Sequence, residues 1–259
     1  MPELPEVSHY ARIANLAAGK PVREARLSRP GLLSGIVPSR FSSFLRGQKI
    51  TAIKRHGKFL LLGLSGKKWL AMHFGLSGLL SYEKKPAPAP GGSLDIVFSD
   101  GSRLRYRALF GRLDVVDDPR EFVRHLGLGP DTLSLDWKSF WKLARSKNRL
   151  TVKAFLMDQK NIAGVGNLYS DESFFRTRIH PLTPLRDIGD VRLKKLFSNL
   201  VRILKTVSLG RRRGEWVFPG GYLAPHRERG ERCPRCGTPL KMILIGGRKS
   251  FFCPKEQKL

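Results

Sequence analysis

The chain has 259 residues, of which 41% are hydrophobic, so it is long enough to form more than one globular domain. Its 48 Lys and Arg face 21 Asp and Glu, a net charge of +27 that predicts a polyanionic partner. Nucleic acid fits this charge, while the lack of an apolar run of about 20 residues and of a basic amphipathic anchor excludes a membrane partner. With 3 Cys and no signal-peptide pattern at the start, we expect a reducing, cytoplasmic location, with the protein held on the nucleoid through DNA.

The chain begins MPELPEV, where two prolines and two glutamates stand at the predicted start of a helix. A structural interpretation covers most of this pattern, since Pro is tolerated in the first turn and the helix dipole favours Glu3 and Glu6 there. The helix would then bury an apolar stripe formed by Val7, Ala11, Ala14 and Ala18. This interpretation leaves Pro2 unexplained, because removal of Met1 would make it a secondary amine at the chain start.

The pattern after Gly19 predicts three further parts. Short apolar runs over residues 20–117, with Asp100-Gly101 between two of them, predict a β-sandwich, and KKPAPAPGG over residues 84–92 predicts a surface loop. Helical periodicity follows over residues 121–209 on two apolar stripes, Trp137, Phe140, Trp141 and Ala144, then Leu193, Leu196, Leu200 and Leu204. A short cysteine-bearing tail from residue 215 predicts a hairpin. The fold class is therefore α+β and multidomain, with predicted domains 1–120, 121–214 and 215–259.

Two segments carry further signals. Gly164, Val165, Gly166 and Asn167 interrupt a helical segment just before a new helix, which is typical of a phosphate-binding loop but also of a plain helix-turn connection. In the tail, Cys233 and Cys236 are spaced as half of a zinc ribbon, Cys253 follows after a predicted hairpin, and Glu256 stands where a fourth thiolate would be. The alternatives are a zinc site completed by Glu256 or a metal-free hairpin. Arg248 would lie at the hairpin tip.

These segments, in this order, resemble the formamidopyrimidine-DNA glycosylase and endonuclease VIII family of base-excision repair enzymes. The resemblance rests on PELPEV, GKFLLL, HFGLSG, DQKNIAGVGNLYSDE and CPRCGTPL with GGRKSFFCP, and it covers nearly the whole chain. It implies an N-terminal helix and β-sandwich, a helix-two-turn-helix domain and a zinc-finger-like hairpin. It also implies a monomeric DNA glycosylase and abasic-site lyase that acts on damaged double-stranded DNA and nicks the strand by β,δ-elimination.

The resemblance assigns expected roles. Pro2 would be the nucleophile, Glu3 the general acid/base and Glu6 a supporting carboxylate. Lys58 would approach the damaged base and phosphate, the alternative being a solvated charge at a strand end. Four residues would hold phosphates: His73, Lys153, Asn167 and Arg248. For His73 alone, the commoner interpretation is a histidine whose hydrogen bonds are satisfied within the sheet.

Two departures from the family pattern concern the hole left by an extruded base. Leu76 stands in place of a usual Met, and the second loop reads YRALFG, which keeps Phe110 as a wedge. Either Arg107 or Arg112 would take the role of the arginine that contacts the orphaned base. The short segment 211–233 predicts better processing of ring-opened purines, oxidised pyrimidines or abasic sites than of 8-oxoguanine opposite cytosine.

Two rival functions remain open at this point. One is a non-catalytic protein that keeps the fold and binds damaged DNA, and the other is an RNA-binding protein with a zinc ribbon. The state of Met1 separates the first rival from the enzyme, because a retained Met1 caps the amine of Pro2.

Overall fold

The computed structural model describes residues 1–86, 91–209, 211–212, 215–216 and 218–259. It divides into two compact units, Met1–Gly127 and Leu128–Leu259. The predicted loop at 84–92 and the segment 211–233 lie partly outside the described residues. Within the described part, no helix is both long and apolar enough to cross a membrane.

The described residues of the N-terminal unit form three helices and nine strands. The helices are α1 Leu4–Asn15, α2 Pro38–Leu45 and α3 Pro119–His125. The strands are β1 Val22–Leu27, β2 Leu33–Ser34, β3 Ile50–His56, β4 Phe59–Leu64, β5 Trp69–His73, β6 Leu79–Glu83, β7 Leu94–Phe98, β8 Arg103–Arg107 and β9 Arg112–Val116. Short 3-10 turns are described at residues 30–32, 185–187 and 224–226 of the chain.

The strands form two sheets, as the β-sandwich prediction required. One sheet has the order β2-β9-β5-β4-β3 and the other β1-β7-β8-β6, and all the pairings are antiparallel except β2 with β9. The predicted turn at Asp100-Gly101 joins β7 to β8, and Gly101 adopts φ 81°, a conformation that favours glycine.

One hydrophobic core joins both sheets to α1. Leu60, Leu62 and Met72 enter it from the first sheet, and Ile96 and Leu104 from the second. Apolar residues on one face of α1 complete the core: Val7, Tyr10 and Ala14. The start of α1 is thereby fixed against the sandwich by burial of apolar surface, the main favourable contribution to folding.

Two details of this unit differ from the sequence prediction. Ala18 is exposed, because α1 ends at Asn15 and the apolar stripe ends with it. Helix α2 also lies inside the stretch predicted as strands only. It begins at Pro38 and buries Phe41 and Leu45, which are four residues apart on one face.

The C-terminal unit begins with helices and ends with the hairpin. Its helices are α4 Trp137–Ser146, α5 Val152–Met157, α6 Asn167–Thr177 and α7 Asp190–Leu209. Its strands are β10 Arg211–Arg212, β11 Glu215–Trp216, β12 Lys241–Ile245 and β13 Arg248–Phe252. Helices α4 and α7 meet where the Phe140 ring of the first predicted stripe stacks on Phe197 of α7, next to Leu196 of the second, with ring centroids 4.6 Å apart.

Candidate active site and nucleic-acid interface

The start of α1 places a proline and a carboxylate together in a buried position. Pro2 is buried, and Glu3, the N-cap residue of α1, is only 4% exposed. The Glu3 amide donates a hydrogen bond to Oε2 of Glu6 at 2.8 Å, the reciprocal contact of a capping box. Glu6 thus fixes the backbone that carries Glu3. Met1 precedes the pair and is exposed.

A second group of polar residues lies at the β3–β4 turn. Lys58 follows Gly57 in this turn and is 6% exposed, so the alternative of a solvated strand-end charge is wrong. The next residue, Phe59, pairs across the sheet with His73 at the end of β5, and their ring centroids lie 4.9 Å apart. Lys58 and His73 therefore belong to one end of the same sheet.

The surroundings of His73 keep its imidazole neutral. Burial lowers the pKa of His73 to about 4, and the positive charges of Lys58 and Arg112 act in the same direction. Nδ1 accepts a hydrogen bond from the Gly75 amide at 3.2 Å, which assigns the ring hydrogen to Nε2. A neutral His73 therefore presents one N–H donor, which suits hydrogen bonding to a phosphate oxygen.

Two neighbouring loops carry exposed apolar side chains. A Cβ on Gly75, whose φ is 56°, would lie 1.9 Å from the Phe110 carbonyl oxygen, so only glycine permits this approach of the β5–β6 and β8–β9 loops. Leu76 is 61% exposed, Leu109 59% and Phe110 69%. The predicted wedge residue Phe110 thus lies on a loop that adjoins the one carrying Leu76, the residue in place of the usual Met. Leu109 was not predicted, although it stands beside Phe110 as an apolar residue in a loop.

Hydrogen bonds hold the backbone of the β8–β9 loop. Arg29 donates to the carbonyls of Ala108 and Leu109 at 3.3 and 3.1 Å. The Ser93 hydroxyl donates to the Ala108 carbonyl and accepts from the Ala108 amide, both at 3.0 Å. Arg107 lines a cavity of about 350 Å³ beside this loop, together with Arg29 and Ser93.

The two arginines considered for the orphaned base differ in their contacts. The Arg112 guanidinium donates to both carboxylate oxygens of Asp114, at 2.8 to 2.9 Å, and lies over the Phe122 ring. Arg107 is exposed at the end of β8. Arg112 is therefore held along its own strand, but its side chain is 46% exposed, so both arginines stay candidates for the contact to the orphaned base.

In the C-terminal unit, the predicted loop ends at the N-terminus of α6. Gly166 is the N-cap residue and Asn167 is the first helical residue. The Asn167 side-chain amide donates to the Lys249 carbonyl at 2.7 Å, and Arg248 lies next to Lys249 at the start of β13. Two predicted phosphate ligands, Asn167 and Arg248, are thus brought together from positions about 80 residues apart.

Lys153 does not lie at a surface where a phosphate could reach it. The residue is 1% exposed, and its ammonium donates to Asp171 at 2.6 Å, to Ser170 at 2.9 Å and to the Asn167 carbonyl at 3.3 Å. The prediction of a direct phosphate contact is corrected on this ground, because a buried ammonium paired with a carboxylate is not offered to DNA. Lys153 supports the backbone of Asn167 instead.

The three cysteines of the tail form a cluster. The Sγ atoms of Cys233, Cys236 and Cys253 all lie within 4.8 Å of one another, and those of Cys236 and Cys253 are 3.6 Å apart. Tetrahedral zinc with Zn–S bonds of about 2.3 Å separates its sulfur ligands by about 3.8 Å, so the cluster fits three of the four ligands of a structural site.

Glu256 is not a member of this cluster. Its carboxylate lies 2.9 Å from the Arg178 guanidinium and 3.9 Å from that of Arg235, and the side chain is largely buried. The prediction that Glu256 lies in the cysteine cluster as a fourth ligand is therefore corrected, since two arginine charges attract the carboxylate elsewhere.

Three family models match consecutive parts of the chain. The formamidopyrimidine-DNA glycosylase N-terminal domain matches residues 1–113, the formamidopyrimidine-DNA glycosylase H2TH domain matches residues 126–212, and the zinc finger found in FPG and IleRS matches residues 230–255. The chain belongs to the formamidopyrimidine-DNA glycosylase family.

Relatives in this family match the chain along its whole length. The formamidopyrimidine-DNA glycosylase of Methylococcus capsulatus is 34% identical, with all of both chains covered. That of Chloroflexus aggregans is 33% identical over 100% of this chain and 99% of the relative. A crystal structure of Lactococcus lactis Fpg (MutM) with DNA containing N7-benzyl-Fapy-dG is 25% identical, covers both chains fully and superposes with a TM-score of 0.84.

Membership in the formamidopyrimidine-DNA glycosylase family confirms the predicted resemblance and fold class. It makes the protein a base-excision repair DNA glycosylase and disfavours the non-catalytic and RNA-binding alternatives. The zinc-finger match and the cysteine cluster together indicate a zinc-binding finger.

Proposed function

We propose that this glycosylase uses the amine of Pro2, after removal of Met1, to excise oxidised or ring-opened bases and to nick the strand. The observation that carries the proposal is the buried Pro2–Glu3 pair at the start of α1, in a chain that matches the family from its first residue. An α-amine has a pKa near 8, so a neutral, nucleophilic fraction exists at physiological pH.

The reaction follows from a secondary amine attacking an anomeric carbon. The nitrogen lone pair forms a bond to C1′ while the bond from C1′ to the base breaks, and the base leaves with that electron pair and takes up a proton. The nitrogen then loses its proton, and the C1′–O4′ bond opens as the nitrogen donates again and O4′ takes up a proton, which gives an iminium and a 4′-hydroxyl. Loss of a C2′ proton expels the 3′-phosphate, and a second elimination expels the 5′-phosphate.

Glu3 is proposed to give the departing base its proton, to take up the proton that the Pro2 nitrogen then loses, and to pass that proton to O4′ when the sugar ring opens. The carboxylate is one residue from the nucleophile and is buried, where a proton transfer is screened from bulk water. Glu6 acts indirectly, through its hydrogen bond to the Glu3 amide. This arrangement assigns catalysis to Pro2 and Glu3 and positioning to Glu6.

DNA binding is proposed to use neutral donors as well as charges. In the N-terminal unit Lys58 supplies an ammonium and His73 a neutral Nε2–H. In the C-terminal unit the N-terminus of α6, the amide of Asn167 and the guanidinium of Arg248 are suited to hold phosphates. Zinc bound by Cys233, Cys236 and Cys253 would supply a structural cross-link to the finger.

The wedge is proposed to be apolar. Leu76, Leu109 and Phe110 can fill the space left by an extruded base through stacking and van der Waals contact. None of these side chains carries a hydrogen-bond donor, so we expect weak discrimination among the bases opposite the lesion.

The proposed substrate class is ring-opened purines, oxidised pyrimidines and abasic sites in double-stranded DNA, processed by a monomer. The Lactococcus lactis relative was solved with DNA containing N7-benzyl-Fapy-dG, a ring-opened purine, which supports this class by similarity. The preference over 8-oxoguanine rests on the short segment 211–233, part of which lies outside the described residues.

A single-turnover panel tests the proposed function. Duplexes carrying a formamidopyrimidine, an oxidised pyrimidine, 8-oxoguanine or an abasic site are incubated with excess protein whose free Pro2 has been verified by intact mass. We expect base release and strand nicking on the first two and nicking at the abasic site, with 8-oxoguanine opposite cytosine slower. If the protein binds these duplexes but releases no base from any of them, the non-catalytic alternative is favoured.

A further inference from the structure

Asp171, in the middle of α6, is the most heavily hydrogen-bonded carboxylate in the described part of the C-terminal unit. It is 0% exposed. Oδ1 accepts from the Lys153 ammonium and the Ser250 hydroxyl, both at 2.6 Å. Oδ2 accepts from two guanidinium nitrogens of Arg227 at 2.8 and 3.1 Å and from the Phe251 amide at 3.1 Å. The net result is a buried carboxylate between two cations.

These donors come from elements that the sequence keeps far apart. Ser250 and Phe251 belong to β13 of the finger, while Lys153 belongs to α5. One residue before Ser250, the Lys249 carbonyl accepts from Asn167 at 2.7 Å, and Arg248, the first residue of the strand, precedes Lys249. Asp171 therefore fixes β13 on α6 in the register that brings Arg248 beside Asn167.

The finger has further contacts to α6 and the residues after it that involve no cysteine. Arg235 donates to the Phe175 carbonyl at 3.0 Å, and Gln257 donates to the Ile179 carbonyl at 2.8 Å. The Glu256–Arg178 ion pair adds to them. Glu256 thus occupies the sequence position of a fourth thiolate but contributes to docking.

We propose that Asp171 is a positioning residue that sets Asn167 and Arg248 for phosphate binding by holding β13 on α6, and that it does so without a metal in the finger. The proposal rests on the phosphate-binding role given above to Asn167 and Arg248. Removing the carboxylate charge leaves Lys153 and Arg227 buried without their acid, which is a strongly unfavourable state. β13 then separates from α6, and Arg248 loses its fixed position.

The first experiment compares Asp171→Asn with Asp190→Asn, a control with the same charge change on the exposed start of α7. Affinity for a duplex with a tetrahydrofuran abasic analogue should fall at least 10-fold for Asp171→Asn and less than 2-fold for the control. The single-turnover rate at saturating abasic-site DNA should stay within 3-fold of wild type. The slope of log affinity against log salt should decrease by about 1, as for one lost phosphate contact.

A double-mutant cycle with Arg248→Ala separates positioning from general destabilisation. If Asp171 acts through Arg248, adding Asp171→Asn to Arg248→Ala should cost less than 3-fold further affinity. If the affinity losses of Asp171→Asn and Arg248→Ala multiply in the double variant, the proposal is overturned. Should Asp171→Asn fail to fold, Ser250→Ala removes one of the five hydrogen bonds. The same cycle then applies, with an expected loss of about 3-fold that disappears in the Arg248→Ala background.

Hydrogen exchange tests docking without reference to catalysis. The Phe251 amide, which donates to Asp171, should stay protected from exchange in wild-type protein after a chelator has removed all metal. Its protection should fall at least 10-fold in Asp171→Asn. If that variant does not fold, the protection should fall about 3-fold in Ser250→Ala. Loss of protection on chelation of the wild type would overturn the metal-independent part. If wild-type protein does not bind abasic-site DNA, the proposed function fails, while this exchange result still decides the role of Asp171.

Discussion

Glu3 and His73 in the N-terminal unit are placed by contacts of shorter range than Asn167 and Arg248 in the C-terminal unit. In the N-terminal unit, Glu6 contacts the Glu3 amide three residues away, and His73 contacts the Gly75 amide two residues away. In the C-terminal unit, Asp171 contacts Ser250 across 79 residues, and Asn167 contacts Lys249 across 82. Short local motifs thus hold Glu3 and His73, whereas the docking of distant segments positions the proposed phosphate ligands of the C-terminal unit. Changes at Pro2 and Glu3 should alter rates, and changes at Asp171 should alter affinity.

The largest effect that this comparison predicts is on catalysis at Glu3. Glu3→Gln should lower single-turnover base release about 100-fold or more, the range in which a general acid contributes, with DNA affinity within 3-fold of wild type. Cleavage at a preformed abasic site should fall less, because the base has already left. Glu6→Gln, the matched control, should fall about 10-fold at most. Equal losses for Glu3→Gln on both substrates would contradict its assigned role.

Short range also explains why the residues of the first region could be predicted from sequence. The MPELPEV segment contains both the proposed nucleophile and its proposed carboxylates, and GKFLLL and HFGLSG mark strand ends that meet by simple antiparallel pairing. The conclusions from these motifs depend on spacing along the chain. The structure buries Pro2 and Glu3 and pairs Phe59 with His73, while the roles assigned to these motifs stay predictions.

Predictions that depended on distant partners succeeded less well. Lys153 and Glu256 have residue types suited to phosphate and zinc, but Asp171 and Arg178 pair with them instead, and no sequence spacing reveals those partners. Asp171 itself lies inside the DQKNIAGVGNLYSDE motif but was not predicted as a functional residue. Helix α2 was missed because its two buried residues, Phe41 and Leu45, are too few to establish a helical period. The domain boundaries at 120 and 214 stay predictions.

The wedge gives an intermediate effect and tests whether a loop of the N-terminal unit sets specificity. Wild-type protein should release a formamidopyrimidine opposite cytosine and opposite adenine at rates within about 3-fold. Leu109→Arg adds donors at the exposed tip and should widen this ratio to about 10-fold, the lower end of what a base-reading side chain contributes. Phe110→Ala, as control, should slow both duplexes equally. A strong preference in the wild type would show that Arg107 or another donor reads the base.

The smallest effect concerns pH and His73. Because the pKa of His73 is lowered to about 4, its imidazole stays neutral from pH 8 down to 5.5 and gains no charge that would strengthen phosphate binding. The ratio of DNA affinities between wild type and His73→Ala should therefore be constant across this range at fixed salt. A ratio that rises several-fold towards pH 5.5 would mean that His73 protonates near its ordinary pKa of about 6.5.

The most direct test of the account is to locate the covalent bond. Protein with Met1 removed is reacted with an abasic-site duplex in the presence of borohydride, which reduces an iminium to a stable amine, and the product is digested with trypsin and mapped by mass spectrometry. We expect one sugar adduct, on Pro2 of the peptide spanning residues 2–12, PELPEVSHYAR. An adduct on Lys58 or another lysine, or no adduct with a verified free Pro2, would contradict it.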